Sequence, residues 1–580
     1  MELFPFILVP MYIDEVPNRN SKPAILLREG WREGRKTRQR TLANLSHWPP
    51  EKIEALRRLL RGEQMVPADE FFAVEQTTPH GHVDAVLYMI RKLEVGTIIG
   101  SKPCRERNLV IAMIAERLIH PCSKLATTRL WHTTTLAEEL DVQDADVDEL
   151  YEAMDWLLDR KKRIENKLAR RHLSEGAQVL YDITSSYYEG RTCPLARNGY
   201  DRDGKGKPCI IYGVLTDHDG RPLAVDIYPG GTGDPTTVPD QVEKLRSQFG
   251  LTRIVLVGDR GMLTQTQIDN IKNYPGLGWI SALRSQGIQT LVEKGYVDMS
   301  LFDHQNLAEI SSPDFPGERL VVCFNPLLAE DRARTRKELL TATERSLDKI
   351  AKEVRRRTRK PLTEKEIALK VGRKLDRFKM AKHFNLTIRH SFFAWERNED
   401  SIRKEKALDG IYVIRTSEAE DHLSAEDTVR SYKGLAKVEY AFRTLKGIEI
   451  LVRPIRHRTE NRVPAHIFLC LLAYYVEWHM RQALKTLLFD DEALEENRKT
   501  RDPVAPAEPS ASAKIKKRER LTADGLLIHS WETLVKALGT RCRNVCRVGT
   551  DPTGPTFTRL TDATPLQLRV QELLEGYVPM

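Results

Sequence analysis

Cysteine is sparse and scattered in this sequence. The eight residues (Cys104, Cys122, Cys193, Cys209, Cys323, Cys470, Cys542 and Cys546) contain no CxxC pair, and no histidine cluster has metal-ligand spacing. A disulfide framework therefore has nothing to build on, and a reducing cytoplasm fits best. Long apolar runs are missing too. The most apolar stretch, Pro464 to Phe489, has an uninterrupted apolar core of only about ten residues from Ile467, short of a membrane span. The N-terminal MELFPFILVPMYI has no basic residue ahead of its apolar run and meets an acid soon after it, so it does not read as a secretory signal. No membrane association is expected.

What the chain does have is length, apolar content and positive charge. Its 580 residues, 41% of them hydrophobic, are enough for several domains with real cores. A formal charge of +9 and a pI near 9.0 point to an acidic partner, nucleic acid before an anionic membrane surface. Residues 1–80 read as a basic N-terminal region. There, AILLREGWREGRKTRQRTLANL forms a β-hairpin carrying Arg32, Arg35, Lys36 and Arg38, which suits either a DNA groove or a charge-protected edge. Residues 81–174 read as a helical module, with Leu109, Ala112, Ile114, Ala115 and Leu118 on one stripe.

From Ala177 the period changes to two. AQVLYDITSSYYE, CIIYGVLTD and PLAVDIYPG are short β runs, then come the helical TTVPDQVEKLRSQFG, the apolar run RIVLVGDRG, a polar helix and the strand GWISALR. That order predicts an RNase H-like α/β fold whose first part spans 175–290 and whose second part spans 409–490. Two acids stand out within it. Asp182 interrupts the strand VLYDIT, and Asp259 ends IVLVGDRG; a carboxylate in a buried strand is costly unless paired, hydrogen-bonded or bound to metal.

A third acid lies far downstream, in YKGLAKVEYAFRTLK. Read as one helix from Tyr432 to Lys446, it places Leu435, Val438, Phe442 and Leu445 within roughly 80° of arc, and Tyr432, Glu439, Arg443 and Lys446 within roughly 60°. A solvated face with mixed charges is one reading; a carboxylate held among cations is the other. Together with Asp182 and Asp259 the second gains weight, because three carboxylates can hold two Mg²⁺ or Mn²⁺ ions roughly 3.5 to 4 Å apart for phosphodiester chemistry. Neighbouring cations would hold the DNA phosphates.

The stretches LYDITSSYYEG, VGDRGMLTQTQI and YKGLAKVEYAFRTLKG, followed by RPIRHRTENRVPAHIFLCLLAYYVEW, resemble the DDE transposases of bacterial insertion sequences. The closer resemblance is to the insertion-sequence-four superfamily and its long-transposase subgroup, whose third acid sits in a Y-x2-R-x3-E-x6-K pattern. Tyr432, Glu439 and Lys446 match that spacing, while Leu435 stands at the family's Arg position. The resemblance implies Asp182, Asp259 and Glu439 as catalytic metal ligands. It further implies Tyr432, Lys446 and Arg443 as contacts to the DNA end, with Arg260, Arg284, Arg453 and Arg456 as further DNA-binding candidates.

The function so implied is a transposase that binds terminal inverted repeats, cuts them by Mg²⁺-dependent hydrolysis and joins the 3′-hydroxyl ends to target DNA by transesterification. Its partners would be double-stranded DNA, as transposon ends and as target, and a second copy of itself in a synaptic homodimer. A bacterial cytoplasmic protein, nucleoid-associated when bound to DNA, is expected. An RNase H-like nuclease without strand transfer shares the three acids, and a non-catalytic transposase-derived DNA-binding protein is a third reading. A two-carboxylate glycosidase would need neither the cationic helix nor the basic segment described next.

Between Asp259 and Glu439 lies more chain than such a fold requires, so residues 291–408 are expected as a basic mixed α/β insertion. Residues 326–407 carry 24 Lys and Arg against 13 Asp and Glu, a net that exceeds the +9 of the whole chain. Phe393 and Trp395 within it suit core packing or stacking on a flipped base. Residues 491–580 read as a polar, flexible linker and a small C-terminal appendage.

Overall fold

The β runs from Ala177 onward pair into one sheet of eight strands: β1 (Ala177–Tyr187), β2 (Cys209–Asp217), β3 (Pro222–Pro229), β4 (Ile254–Val257), β5 (Leu277–Ala282), β6 (Leu307–Ile310), β7 (Arg319–Phe324) and β8 (Ile411–Thr416). This computed structural model describes residues 11–19, 21–63, 71–302, 306–549 and 551–579. Most of the N-terminal apolar run discussed above falls on residues 1–10, outside the described residues. Strand order is β6-β7-β8-β5-β4-β1-β2-β3. β1, β2 and β3 form an antiparallel meander, and β4 and β5 run parallel to β1. That half, β5-β4-β1-β2-β3, is consistent with the RNase H-like order expected from the sequence. The other half adds β8, β7 and β6 antiparallel beyond β5, so two strands from the expected insertion extend the main sheet.

Both faces of the centre are covered, which is why IVLV in β4 is apolar throughout and wholly buried. Alternation divides β1 between two cores. Val179, Tyr181 and Ile183 pack with Val242, Leu245 and Ile268 on one face. Leu180 faces the other, where Leu435, Val438, Phe442 and Leu445 join the core as the sequence stripe required. The helix Arg462–Ala483 is buried along nearly its whole length in that same core. Around it pack Gly81–Lys92, Arg105–Ile119 and Val147–Asp159, so the stretch expected as a helical module shares one core with the sheet. Among the described residues no helix is long and apolar enough to cross a membrane.

Residues 326–397 form an arm with a hydrophobic core of its own. The long helix Pro326–Arg356 leaves the end of β7, Glu364–Phe378 returns beside it, and the hairpin Phe384–Arg389 with Phe392–Arg397 packs on the pair. Leu340, Leu347, Ile350 and Val354 meet Ile367, Val371 and Leu375 in this core. Phe393 is buried there, and Trp395 sits edge-on to Phe384 with its indole N–H donating to Asp348. Phe393 is a core residue, and Trp395 packs half-buried against that core.

Three sequence expectations are corrected. The single helix from Tyr432 to Lys446 is two, Ala425–Lys433 and Leu435–Lys446, meeting at Gly434. A Cβ at Gly434 would lie 2.8 Å from the Ser431 carbonyl of the preceding turn, while its 3.6 Å to the Leu180 methyls of β1 is ordinary contact. The flexible linker is structured: it holds the helices Leu494–Thr500 and Ala511–Glu519, Ser510 bonds Asp491, and Lys516 donates to the carbonyls of Lys485 and Leu488. Ser510, which caps the second of these helices, supports this order despite a disorder-like composition. Finally, the C-terminal residues are no appendage, since Trp531–Gly539 and Pro565–Gly576 pack on Gly81–Lys92.

Residues 1–77 and 543–560 form a separate compact unit. In it, Met11–Val16, Ala24–Glu33 and Lys36–Asn44 make an antiparallel meander, and the basic hairpin turns at Gly34 with φ +62°. The helix Pro50–Leu60 belongs to the same unit.

Gly213 in β2 lies against the Tyr181 ring, and a Cβ there would fall 2.2 Å from the phenol oxygen. Gly213→Ala is expected to cost about 1–3 kcal/mol by overpacking and to lower the thermal midpoint by several degrees. An unchanged melt would contradict this β1–β2 register.

Candidate active site at the end of the sheet

Parallel pairing sets the level of two acids. β1 and β4 pair Leu180 with Val257, so Asp182 and Asp259 lie two residues further along on adjacent strands, at the same height. Asp182 is still inside β1, whereas Asp259 is in the loop past β4. Leu180 and Asp182 share a face, and that face is roofed by the helix Leu435–Lys446, which begins with Gly434 against Leu180. Glu439 comes from one turn into this helix.

Each carboxylate has different support. Asp182 Oδ1 accepts the N–H of Ile183 at 2.7 Å. Asp259 Oδ1 accepts the N–H groups of Gly261 at 3.0 Å and Met262 at 2.8 Å, the turn geometry that often satisfies a lone Asp. Glu439 is exposed and has no hydrogen-bond or ion-pair partner among the described residues. The three are within electrostatic reach of one another. Burial lifts the Asp182 carboxyl to about 7, and the charges of Asp259 and Glu439 add to that, against the Ile183 bond and the Arg202 guanidinium. Burial likewise raises the Tyr432 phenol to about 12, with Asp259, Asp182 and Glu439 raising it further and Arg260 opposing. Tyr432 therefore sits over this acid group, partly buried against the core.

Among the described residues no group of three or more His, Cys, Asp or Glu is near enough to hold a metal ion. The carboxylates approach one another without closing into a ligand set. Their chemistry nonetheless fits a hard divalent cation: all donors are oxygens, and the Arg202 guanidinium, which opposes the rise at Asp182, is committed to Asp234 at 2.7 Å.

The cations named from the sequence are distributed less simply than one helical face. Lys446 donates to the buried Asp203 at 3.1 Å, and Arg453 contacts the same carboxylate while its Nε donates to the Lys446 carbonyl. Arg456 pairs with Glu189 at 3.0 Å. Arg443 turns to another cleft of about 570 Å³, where it lies over Tyr440 beside Trp478 and Arg481. So of the expected face Tyr432 stays with Glu439, whereas Lys446 is drawn off by the distant Asp203 and Arg443 lies over Tyr440 of its own helix. Arg260 and Arg284 are exposed at the rim, with Arg284 Nε donating to the Arg260 carbonyl at 3.3 Å. Arg260 and Tyr432 line a pocket of about 170 Å³ together with Arg332 and Tyr412.

Sequence reasoning missed Arg202 and Asp203. Both lie in NGYDRDGKGKP, the turn-rich segment between β1 and β2. Asp201 organises that loop by accepting the N–H groups of Asp203, Lys205 and Gly206, and Ser185 in β1 ties it down through the Arg202 N–H. The signal was present as acids interleaved with cations beside the first strand. Removing the shared carboxylate with Asp203→Ala leaves Lys446 and Arg453 facing each other unpaired. It is expected to cost about 3–5 kcal/mol, seen as loss of the cooperative melt at growth temperature; a variant as stable as the parent would show that the two cations are held by something else.

Residues 179–476 match the family described as "Transposase DDE domain", and residues 13–69 match "IS1634 family transposase, N-terminal domain". No curated protein matches. A solved structure described as a cryo-EM piggyBac transposase synaptic complex with hairpin DNA aligns at 12% identity over 77% of this chain and 93% of that one, with a TM-score of 0.28. A likeness that weak bears no argument.

Proposed function

This chain belongs to the DDE transposase family and is a metal-dependent DNA transposase, and on that premise we propose that Asp182, Asp259 and Glu439 are its catalytic carboxylates. The observation that carries the proposal is electrostatic: acids from a strand, the loop after its neighbour and a helix, far apart in sequence, bear on one another. A cation joining the group would favour the ionised form of Asp182, which burial and the neighbouring acids disfavour. We take the cation to be Mg²⁺ or Mn²⁺, two ions per site, which would activate a water or a 3′-hydroxyl and stabilise the leaving oxygen.

The chain's own residues do the positioning. The Ile183 N–H orients Asp182, and the Gly261 and Met262 N–H groups orient Asp259. Glu439, exposed and without a hydrogen-bond or ion-pair partner among the described residues, is the member that would swing inward. Arg260 and Arg284 lie at the rim, where a scissile strand's phosphates would rest. Lys446 and Arg453, bound to Asp203, are assigned the lesser part of bracing the helix end, and Arg456 keeps a DNA-binding role only if it exchanges Glu189 for a phosphate.

The reaction read here is hydrolysis at the terminal repeats followed by transesterification of the freed 3′-hydroxyls into target DNA. Because two ends must be joined in one event, a homodimeric synapse is part of the proposal. All eight cysteines are free thiols, as a bacterial cytoplasm would keep them.

Glu439→Gln is expected to lower metal-dependent cutting and joining of a duplex from the DNA flanking the coding sequence by at least about 10³-fold, while leaving its binding to that duplex unchanged. Gel assays of cleavage and shift report both; cleavage that survives the substitution would remove Glu439 from the site.

A further inference from the structure

The arm ends in a patch of positive charge assembled from two distant segments. At the far end of the long helix, Arg355 and Arg356 are followed by the loop residues Arg359 and Lys360, all exposed. The turn of the hairpin, Arg389 and His390, is brought to the same end because the Ser391 N–H donates to the Leu362 carbonyl at 3.1 Å. Among the described residues none of these six side chains has a carboxylate partner, whereas the arm's flanks do pair their charges, as in Lys370 with Glu353 and Arg397 with Glu344. Unpaired like charge crowded at one tip opposes folding and is expected where an anion is to be met.

The root of the arm fixes where that anion runs. The C-terminal ends of β4 and β5 and the start of β8 lie at one edge of the sheet, because Ile414 pairs with Ala282 antiparallel. β7 ends at that edge too, pairing Phe324 with Ile411, and the long helix leaves from there. Arg332, in its second turn, donates to the Leu408 carbonyl and lines the same pocket as Arg260 and Tyr432. The arm thus springs from beside the acids. From Arg332 to Arg356 the helix rises about 36 Å at 1.5 Å per residue, which is one turn of duplex DNA, about 10–10.5 base pairs.

We propose that the arm tip grips the phosphate backbone of duplex DNA about one helical turn from the phosphodiester held at the acids. This rests on the reading of Asp182, Asp259 and Glu439 as the cutting site. Contact is to phosphates, so it sets the distance and direction of the duplex without reading sequence.

The test uses the full-length protein with Arg355→Ala, Arg356→Ala, Arg359→Ala and Lys360→Ala combined, all exposed positions. The probes are a 40-base-pair duplex of the DNA flanking the coding sequence and a mixed-sequence duplex of equal length, both in chelator so that nothing is cut. The variant is expected to bind both duplexes about tenfold or more weakly at 0.1 M salt, with the slope of log Kd against log salt reduced by about 3. Its hydroxyl-radical footprint should lose protection one turn from the cut point mapped separately with Mn²⁺, and keep protection at that point. Equal affinity, equal slope and an unchanged footprint would overturn the proposal. Glu439→Gln separates the two claims: if the tip is right and the acids are wrong, that variant still cuts while the tip footprint remains.

Discussion

The constraint on which the rest depends is the parallel register between β1 and β4. Pairing Leu180 with Val257 puts Asp182 and Asp259 side by side at the end of the sheet, on a face that the helix carrying Glu439 must cover to bury Leu435, Val438 and Phe442. A slip of one residue in β1 would turn Asp182 into the opposite core, against Val242, Leu245 and Leu256, and would turn Tyr181 and Ile183 out of it. The apolar packing on both faces therefore enforces a costly meeting of like charges. A fold keeps such a meeting when a ligand relieves it.

Much of this was legible in the residues. A carboxylate inside VLYDIT and another at the end of IVLVGDRG are conspicuous against their apolar strands, and the stripe of the third helix was read correctly as buried. What the one-dimensional pattern lacked was competition. Lys446 shares a helical face with Glu439, but Asp203, hundreds of residues earlier, draws it away. Arg443 shares that face as well, yet its guanidinium settles on Tyr440 in another cleft. Helical periodicity places Cα atoms; long cationic side chains follow their partners.

The segment after the helix Arg462–Ala483 failed for a different reason. Its Pro, Ala, Ser and Lys content resembles a linker, but Ser510 caps a helix and Lys516 reaches three carbonyls at the end of the preceding element. Composition averages over positions, whereas capping needs one residue in the right place. The basic stretch between the strands shows in the sequence through its surplus length and its charge. Only the fold reveals that its cations divide into a paired flank and an unpaired tip, and that its root stands next to the acids.

The central claim is that Asp182, Asp259 and Glu439 close around divalent metal. The most direct measurement is a crystal structure of the protein grown with Mn²⁺, with anomalous diffraction locating the ions. The account predicts anomalous peaks coordinated by oxygens of all three carboxylates, with Glu439 moved inward. Mn²⁺ bound elsewhere, with these three side chains still apart, would contradict it.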